Sequence, residues 1–189
     1  MYVGGVTFRV GTLNKEVIIM FKLCVKSKMF HGIVWVTLPM DEDELYSKLV
    51  NIGITPEESE ELAEIIYCRN PFGYEIQKAD LLDLNGMAGA LESMDDDYLG
   101  AVDALLNKGG YSLEDAMDVV LSDGVCIYEG CDTVADVARY VVDVNHFLGD
   151  VPMFMCHFDY ESYGRELASE RKIYFKNGNA YEIEPTEEQ

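Results

Sequence analysis

Between residues 41 and 170 the chain carries thirty Asp and Glu residues against six Lys and Arg. Unpaired carboxylates are costly to bury, so every element in this stretch must keep one face in water. The densest part is ESMDDDYLGAVD, residues 92–103, with five carboxylates and no cation. Residues 1–40, by contrast, hold five bases and one acid, and residues 171–189 hold three bases and four acids. The formal net charge of −21 therefore belongs to the middle of the chain. A surface of this sign repels nucleic acid and anionic membranes and attracts cations or basic protein surfaces. Neither nucleic acid nor a membrane is expected as a partner.

With 189 residues, 49% of them hydrophobic, the chain is long enough to bury a core and to form one to three small domains. No basic n-region followed by an apolar run opens the sequence, and no stretch approaches 18 apolar residues, so a cytoplasmic protein is expected. Five cysteines, at 24, 68, 126, 131 and 156, suit reduced thiols better than a disulfide framework.

Turn chemistry divides the chain into three segments. The first, residues 1–78, has β-rich runs VTFRV, EVIIMFKLCV and GIVWVTL, followed by two expected helices. Asp41 can cap the first helix, which carries Leu45, Leu49 and Ile52 before Gly53; Thr55-Pro56-Glu57-Glu58 reads as a capping box opening the second. The segment 79–123 shows only helical spacing: Leu84, Met87, Ala88 and Leu91, then Leu99, Val102 and Leu106. Asn107-Lys108-Gly109-Gly110 ends one of these helices. Ser112 with Asp115 starts the next, which closes at Asp123-Gly124.

Residues 124–189 open with a strand, VCIY, and a helix that Asp132 or Thr133 can cap, burying Val134, Val137, Ala138 and Val141 and leaving Asp136, Arg139 and Asp143 outside. Asn177-Gly178 between KIYF and AYEI predicts a two-residue hairpin. The expected class is α+β: a small antiparallel sheet plus helices, a helical middle, and an α/β C-terminal domain.

Nothing in the sequence assembles a catalytic, cofactor or metal site. Asp95, Asp97 and Gly100 match positions 1, 3 and 6 of an EF-hand loop, but Leu99 and Leu106 stand where oxygen ligands are required. No G-x-S-x-G elbow, H-E-x-x-H motif or phosphate loop occurs. Cys126, Cys131, Cys156 and His157 lack zinc-knuckle spacing and read as buried thiols with a neighbouring histidine.

The charge density is what remains to be explained. Duplex DNA carries one negative charge per 1.7 Å of axis, so a net 24 charges correspond to about 41 Å of duplex. A compact 130-residue unit is roughly 36 Å across. Per unit length, the middle of this chain is about as anionic as DNA. Helix dipoles account for Asp95, Asp96 and Asp97 locally, but not for the rest of the acids.

Residues 136–167, DVARYVVDVNHFLGDVPMFMCHFDYESYGREL, carry DVARY, LGDVP and DYESYGREL in an order that resembles the ArdA antirestriction family, and WVTLP at 35–39 resembles its N-terminal strand. The resemblance implies an elongated protein of three small domains, dimeric through its C-terminal domains. Such a protein mimics bent B-DNA and occupies the DNA-binding groove of type I restriction-modification enzymes. Residues 1–19 precede the family's usual start near FKLCV and read as an extension or as residues upstream of a start at Met20.

On this reading the phosphate mimics are the acids without bases nearby in sequence: Glu92, Asp95, Asp96, Asp97, Asp103, Glu114, Asp115, Asp118, Glu129 and Asp132. A homodimer contact is expected through 124–189, at Val151, Met153, Phe154, Met155 and Phe158. Asp136, Arg139 and Asp143 fit a salt-bridged exposed face as well as a binding role. Tyr160 and Tyr163 read as core or dimer aromatics, and Arg165, between Glu161 and Glu166, as structural. Two other readings use the same acidity: a mimic that blocks another nucleic-acid machine, such as a CRISPR effector or transcription regulator, and a halophile-type enzyme. The basic first forty residues argue against the second, which needs uniform acidity.

Overall fold

The computed structural model describes residues 21–144 and 157–183, and within them the chain is a mixed α+β protein with seven α-helices and two small antiparallel sheets. The first sheet has strands β1 (Phe21–Ser27), β2 (Ile33–Leu38) and β3 (Ala63–Arg69) in the order β2-β1-β3. Period-two alternation puts Phe21, Leu23 and Val25 on the buried face and Lys22 in water. VTFRV and EVIIM, expected as strands, lie outside the described residues.

Helix α1 (Glu42–Val50) begins as its sequence requires. The Asp41 carboxylate accepts from the Glu44 N–H, three acids occupy the first turn and Lys48 the last. Leu45 and Leu49 are fully buried, each worth about 1.5–3 kcal/mol over exposure. Gly53, at φ 75°, ends the turn.

The second expected helix of this region is corrected. Thr55 does donate through its hydroxyl to the Glu58 carboxylate at 2.7 Å. Only a 3₁₀ turn (Pro56–Glu58) and the one-turn helix α2 (Ser59–Leu62) follow. The chain then extends into β3, the strand AEIIYCR, which lies along the free edge of β1. Its β-branched and aromatic residues favour a pleated surface, and pairing with β1 outweighs the local cap.

Helices α3 (Leu81–Glu92), α4 (Asp96–Ala104) and α5 (Leu113–Leu121) follow, with a π-helical turn (Leu105–Gly109) extending α4 to Gly110 at φ 71°. Buried Asn85 fixes α3 to the first sheet by accepting from the Met40 N–H and donating to the Met40 carbonyl, both at 2.9 Å. One continuous apolar core joins the first sheet, α1, α3, α4 and α5 to Tyr181 and Ile183 of the second sheet.

That sheet has the order β4-β6-β5, from β4 (Val125–Tyr128), β5 (Lys172–Lys176) and β6 (Asn179–Ile183). The hairpin forms as its turn predicts, with Asn177 at φ 51° and Gly178 at φ 87°. Helices α6 (Val134–Val144) and α7 (Tyr160–Glu170) pack together beside it, and Val137, Ala138, Val141 and Leu167 share a smaller core with Tyr128, Cys131 and Ala180. Tyr160 and Tyr163 are half-buried against that core.

Between β4 and β6 lies a buried polar group. Tyr128 donates its hydroxyl to Glu182 at 2.5 Å, and Arg171 donates to both Glu182 oxygens at 3.2 and 3.3 Å. Burial first, then the hydrogen bond and charge of Glu182, push the Tyr128 hydroxyl well above its ordinary value of 10.0. The unfolded chain therefore ionises this tyrosine first. The stability it contributes is whole below pH 10.0 and is lost as pH rises beyond it. Tyr128→Phe is expected to flatten the alkaline limb of the unfolding midpoint against pH. An alkaline limb unchanged in the variant would assign the effect elsewhere.

Candidate target-binding surface

Helix ends show that the acidity exceeds what local structure needs. Carboxylates near a helix N-terminus and cations near its C-terminus each stabilise by roughly 0.3–1 kcal/mol. The N-termini obey this rule: Asp95 stands at the N-cap of α4 with Asp96 and Asp97 in its first turn, and Glu114 and Asp115 open α5. The C-termini do not. None of α3, α5, α6 and α7 has a base in its last turn, although Lys108 stands in the π-helical turn that ends α4, and α3 ends on Glu92, an acid against the negative end of the dipole. Capping accounts for Asp95, Asp96 and Asp97 but opposes Glu92.

The fold sorts the ten candidate acids. Glu92, Asp95, Asp96, Glu114, Asp118, Glu129 and Asp132 are exposed and make no side-chain ion pair among the described residues. Asp115 is exposed but engaged in its cap, accepting from the Ser112 hydroxyl at 2.6 Å while its own N–H donates to Ser112 at 3.0 Å. Asp97 accepts from the Asn179 side-chain amide at 3.4 Å. Asp103 is the exception. Its carboxylate is half-buried and lies 2.9 Å from Lys176 Nζ, so the base absent from its sequence neighbourhood arrives from the second sheet.

Three of these contacts meet at the β5–β6 hairpin. Lys176 holds Asp103 of α4, and Asn179 donates to Asp97 and accepts from the Gly130 N–H at 3.0 Å. The turn thereby brings the acidic N-terminus of α4 next to the loop carrying Glu129 and Asp132. Two acidic stretches more than thirty residues apart in sequence become neighbours. Asn179 and Lys176 organise this surface, and no local motif in the sequence announces either.

Close packing places α4 against the sheet. A Cβ on Gly100 would fall 2.1 Å from the Tyr181 hydroxyl oxygen, so only glycine lets the helix approach. Asp136, considered for binding, belongs to a local cap. It accepts from the Thr133 hydroxyl and N–H, returns its own N–H to Thr133, and pairs with Arg139 at 3.2 Å. The Thr133 hydroxyl is the main cause holding its carboxyl below the ordinary range. Asp143 is exposed. Arg165 pairs with Glu161 at 3.5 Å and donates to Ser162, as a structural residue does.

Of the residues expected at a dimer contact, Val151, Met153, Phe154 and Met155 lie outside the described residues. Phe158 is half-buried and meets Tyr160 and Tyr163 edge-on at 5.0 and 5.5 Å.

Among the described residues, no group of three or more His, Cys, Asp and Glu is arranged to hold a metal ion. Cys131 is buried, which pushes its thiol up, and Cys126 is half-buried. No helix among the described residues is long and apolar enough to cross a membrane.

Comparison with known families finds one whose description is Antirestriction protein (ArdA), and its model matches residues 30–182. The match runs from the loop before β2 into β6 and takes in every acid named above. No curated protein matches the chain.

Proposed function

The chain belongs to the ArdA antirestriction family, an inhibitor family that acts on restriction-modification, and from that premise we propose that it works as an acidic mimic of DNA. In this reading it occupies the DNA-binding groove of a type I restriction-modification enzyme. The observation that supports the mechanism is the pattern of helix ends: exposed carboxylates at the start of α3, α4 and α5, and again in the last turns of α3 and α5, where no base stands. A helix built for stability alone would place cations there; one built to resemble a phosphate backbone would not.

Glu92, Asp95, Asp96, Asp97, Glu114, Asp118, Glu129 and Asp132 are the proposed phosphate equivalents. Asp115 contributes charge from within its cap, and Asp103 holds α4 to the hairpin. Division into domains 1–78, 79–123 and 124–189 remains part of the proposal, together with a homodimer through the last of them. Charged surfaces as dense as the middle segment repel each other, so the contact belongs to the apolar residues Val151, Met153, Phe154, Met155 and Phe158. A charge introduced at Phe154 or Met155 is expected to break this contact and halve the mass seen by light scattering at low protein concentration.

The direct test is DNA cleavage by a type I enzyme with and without this protein. Inhibition is expected to be stoichiometric with enzyme, unaffected by chelators, and relieved by excess duplex DNA. It should weaken steeply with salt, because attraction between exposed charges is screened over about 8–10 Å at 0.1–0.15 M. Inhibition that is flat with salt, or that turns over many enzyme molecules per inhibitor, would refute mimicry.

A further inference from the structure

The solvent face of the first sheet differs in character from the rest of the described surface. Strand pairing arranges it in three cross-strand rows. Trp35, Cys24 and Tyr67 form the middle row; Thr37, Lys22 and Arg69 lie on one side, and Ile33, Lys26 and Glu64 on the other. Ile33, Trp35 and Tyr67 are 55%, 52% and 45% exposed, although each is a large side chain in a paired strand, Tyr67 beside the bulge that Ile66 makes in β3. The two rings meet at 5.4 Å, Lys22 Nζ sits 5.4 Å from the Trp35 ring centre, and Cys24 is buried beneath them.

Trp, Tyr and Arg are the residues that most often carry binding energy at protein interfaces. Isolated exposed apolar residues need no explanation, whereas a contiguous group with this composition does. Aromatic rings and cations on a sheet also suit single-stranded nucleic acid. Here the carboxylate of Glu64 and the exposed aliphatic side chains of Ile33 and Ile66 interrupt such a surface.

We infer that this face docks on the same face of a second copy of the chain, about a two-fold axis running along the cross-strand rows. Turning one sheet over about that axis lays the aromatic row on itself. It also lays the Lys22–Arg69 row over the Ile33–Lys26–Glu64 row. Arg69 and Glu64 share β3, so the rotation sets Arg69 of each copy opposite Glu64 of the other, giving two equivalent ion pairs around an aromatic centre. A two-fold contact must be self-complementary in this way, and sheets packed face to face stand about 10 Å apart, within reach of these side chains. Lys26 lies 3.5 Å from Glu64 within its own copy, which draws it away from Lys22 of the other. Strands β1 and β2 of the contact lie in residues 1–40, the part of the sequence where the acids are fewest. It is separate from the contact proposed through residues 124–189 and does not depend on antirestriction activity.

Sedimentation of the full chain over a concentration series tests the inference. The wild-type mass is expected to rise with concentration, at least about doubling, while Arg69→Glu, which sets carboxylate against carboxylate, stays constant. Arg69→Glu combined with Glu64→Arg restores the rise. Both side chains are exposed, and far-UV circular dichroism should be unchanged throughout. Wild type and Arg69→Glu with the same mass at every concentration would overturn the inference, and so would failure of the double exchange to restore association. A single-stranded oligonucleotide bound by wild type and released by Trp35→Ala would also overturn it, by assigning the face to nucleic acid.

Discussion

Gly164→Ala is expected to destabilise the protein by about 3 kcal/mol, at the upper end of what overpacking usually costs. Helix α7 crosses the first turn of α6 so closely that a Cβ on Gly164 would lie 2.2 Å from the Val134 carbonyl oxygen and 2.5 Å from its carbon. Both are backbone atoms, so no rotamer change relieves the clash and the helices must separate. Separation exposes Val137, Ala138 and Leu167, which hold the smaller core together. Gly86→Ala in α3 is the control. Nothing lies within 4 Å of the added methyl group, and replacing glycine inside a helix stabilises by roughly 0.5–1 kcal/mol. Urea denaturation should move the two midpoints in opposite directions. A Gly164→Ala midpoint equal to wild type would mean that α6 and α7 do not pack as described.

Replacing Asp95, Asp96 and Asp97 together by Asn is expected to weaken inhibition of a type I enzyme about tenfold or more at low salt. Each exposed charge pair contributes roughly 0.2–1 kcal/mol, and a factor of ten corresponds to about 1.4 kcal/mol. Asn caps a helix about as well as Asp, so the fold is retained and the loss reports on charge. The gap between variant and wild type should narrow as salt rises. Asp103→Asn provides the contrast. Its carboxylate is already matched by Lys176, and inhibition should change by less than about twofold, with a modest loss of stability instead. If the triple variant inhibits like wild type, or if Asp103→Asn loses as much as the triple, these acids do not act as phosphate equivalents.

Much of the fold was legible from residue order because its signals are local. Asp41, Ser112 and Thr133 cap the helices they precede, Asn177-Gly178 makes the hairpin, and VCIY is β4. Each depends on a few adjacent residues whose φ angles or hydrogen bonds are set by their own chemistry. The capping box Thr55-Pro56-Glu57-Glu58 predicts a helix where strand β3 forms, because the cap is local while the strand's partner β1 lies some forty positions earlier. Helix α7 is legible in the sequence only as the motif DYESYGREL.

The candidate site divides in the same way. Sequence alone determined the sign and the density of the charge, its confinement to the middle of the chain, and the resemblance that the family match supports. Charge is a sum over residues and needs no coordinates. Tertiary structure decided which acids stand free. Lys176 claims Asp103, Asn179 joins Asp97 to the Gly130 loop, and Gly100 and Gly164 set how closely the helices approach. These are contacts between residues tens of positions apart, fixed by how sheets and helices close on a shared core. Pairing strength falls off over a few ångströms, so distance along the chain carries no information about them until the chain has folded.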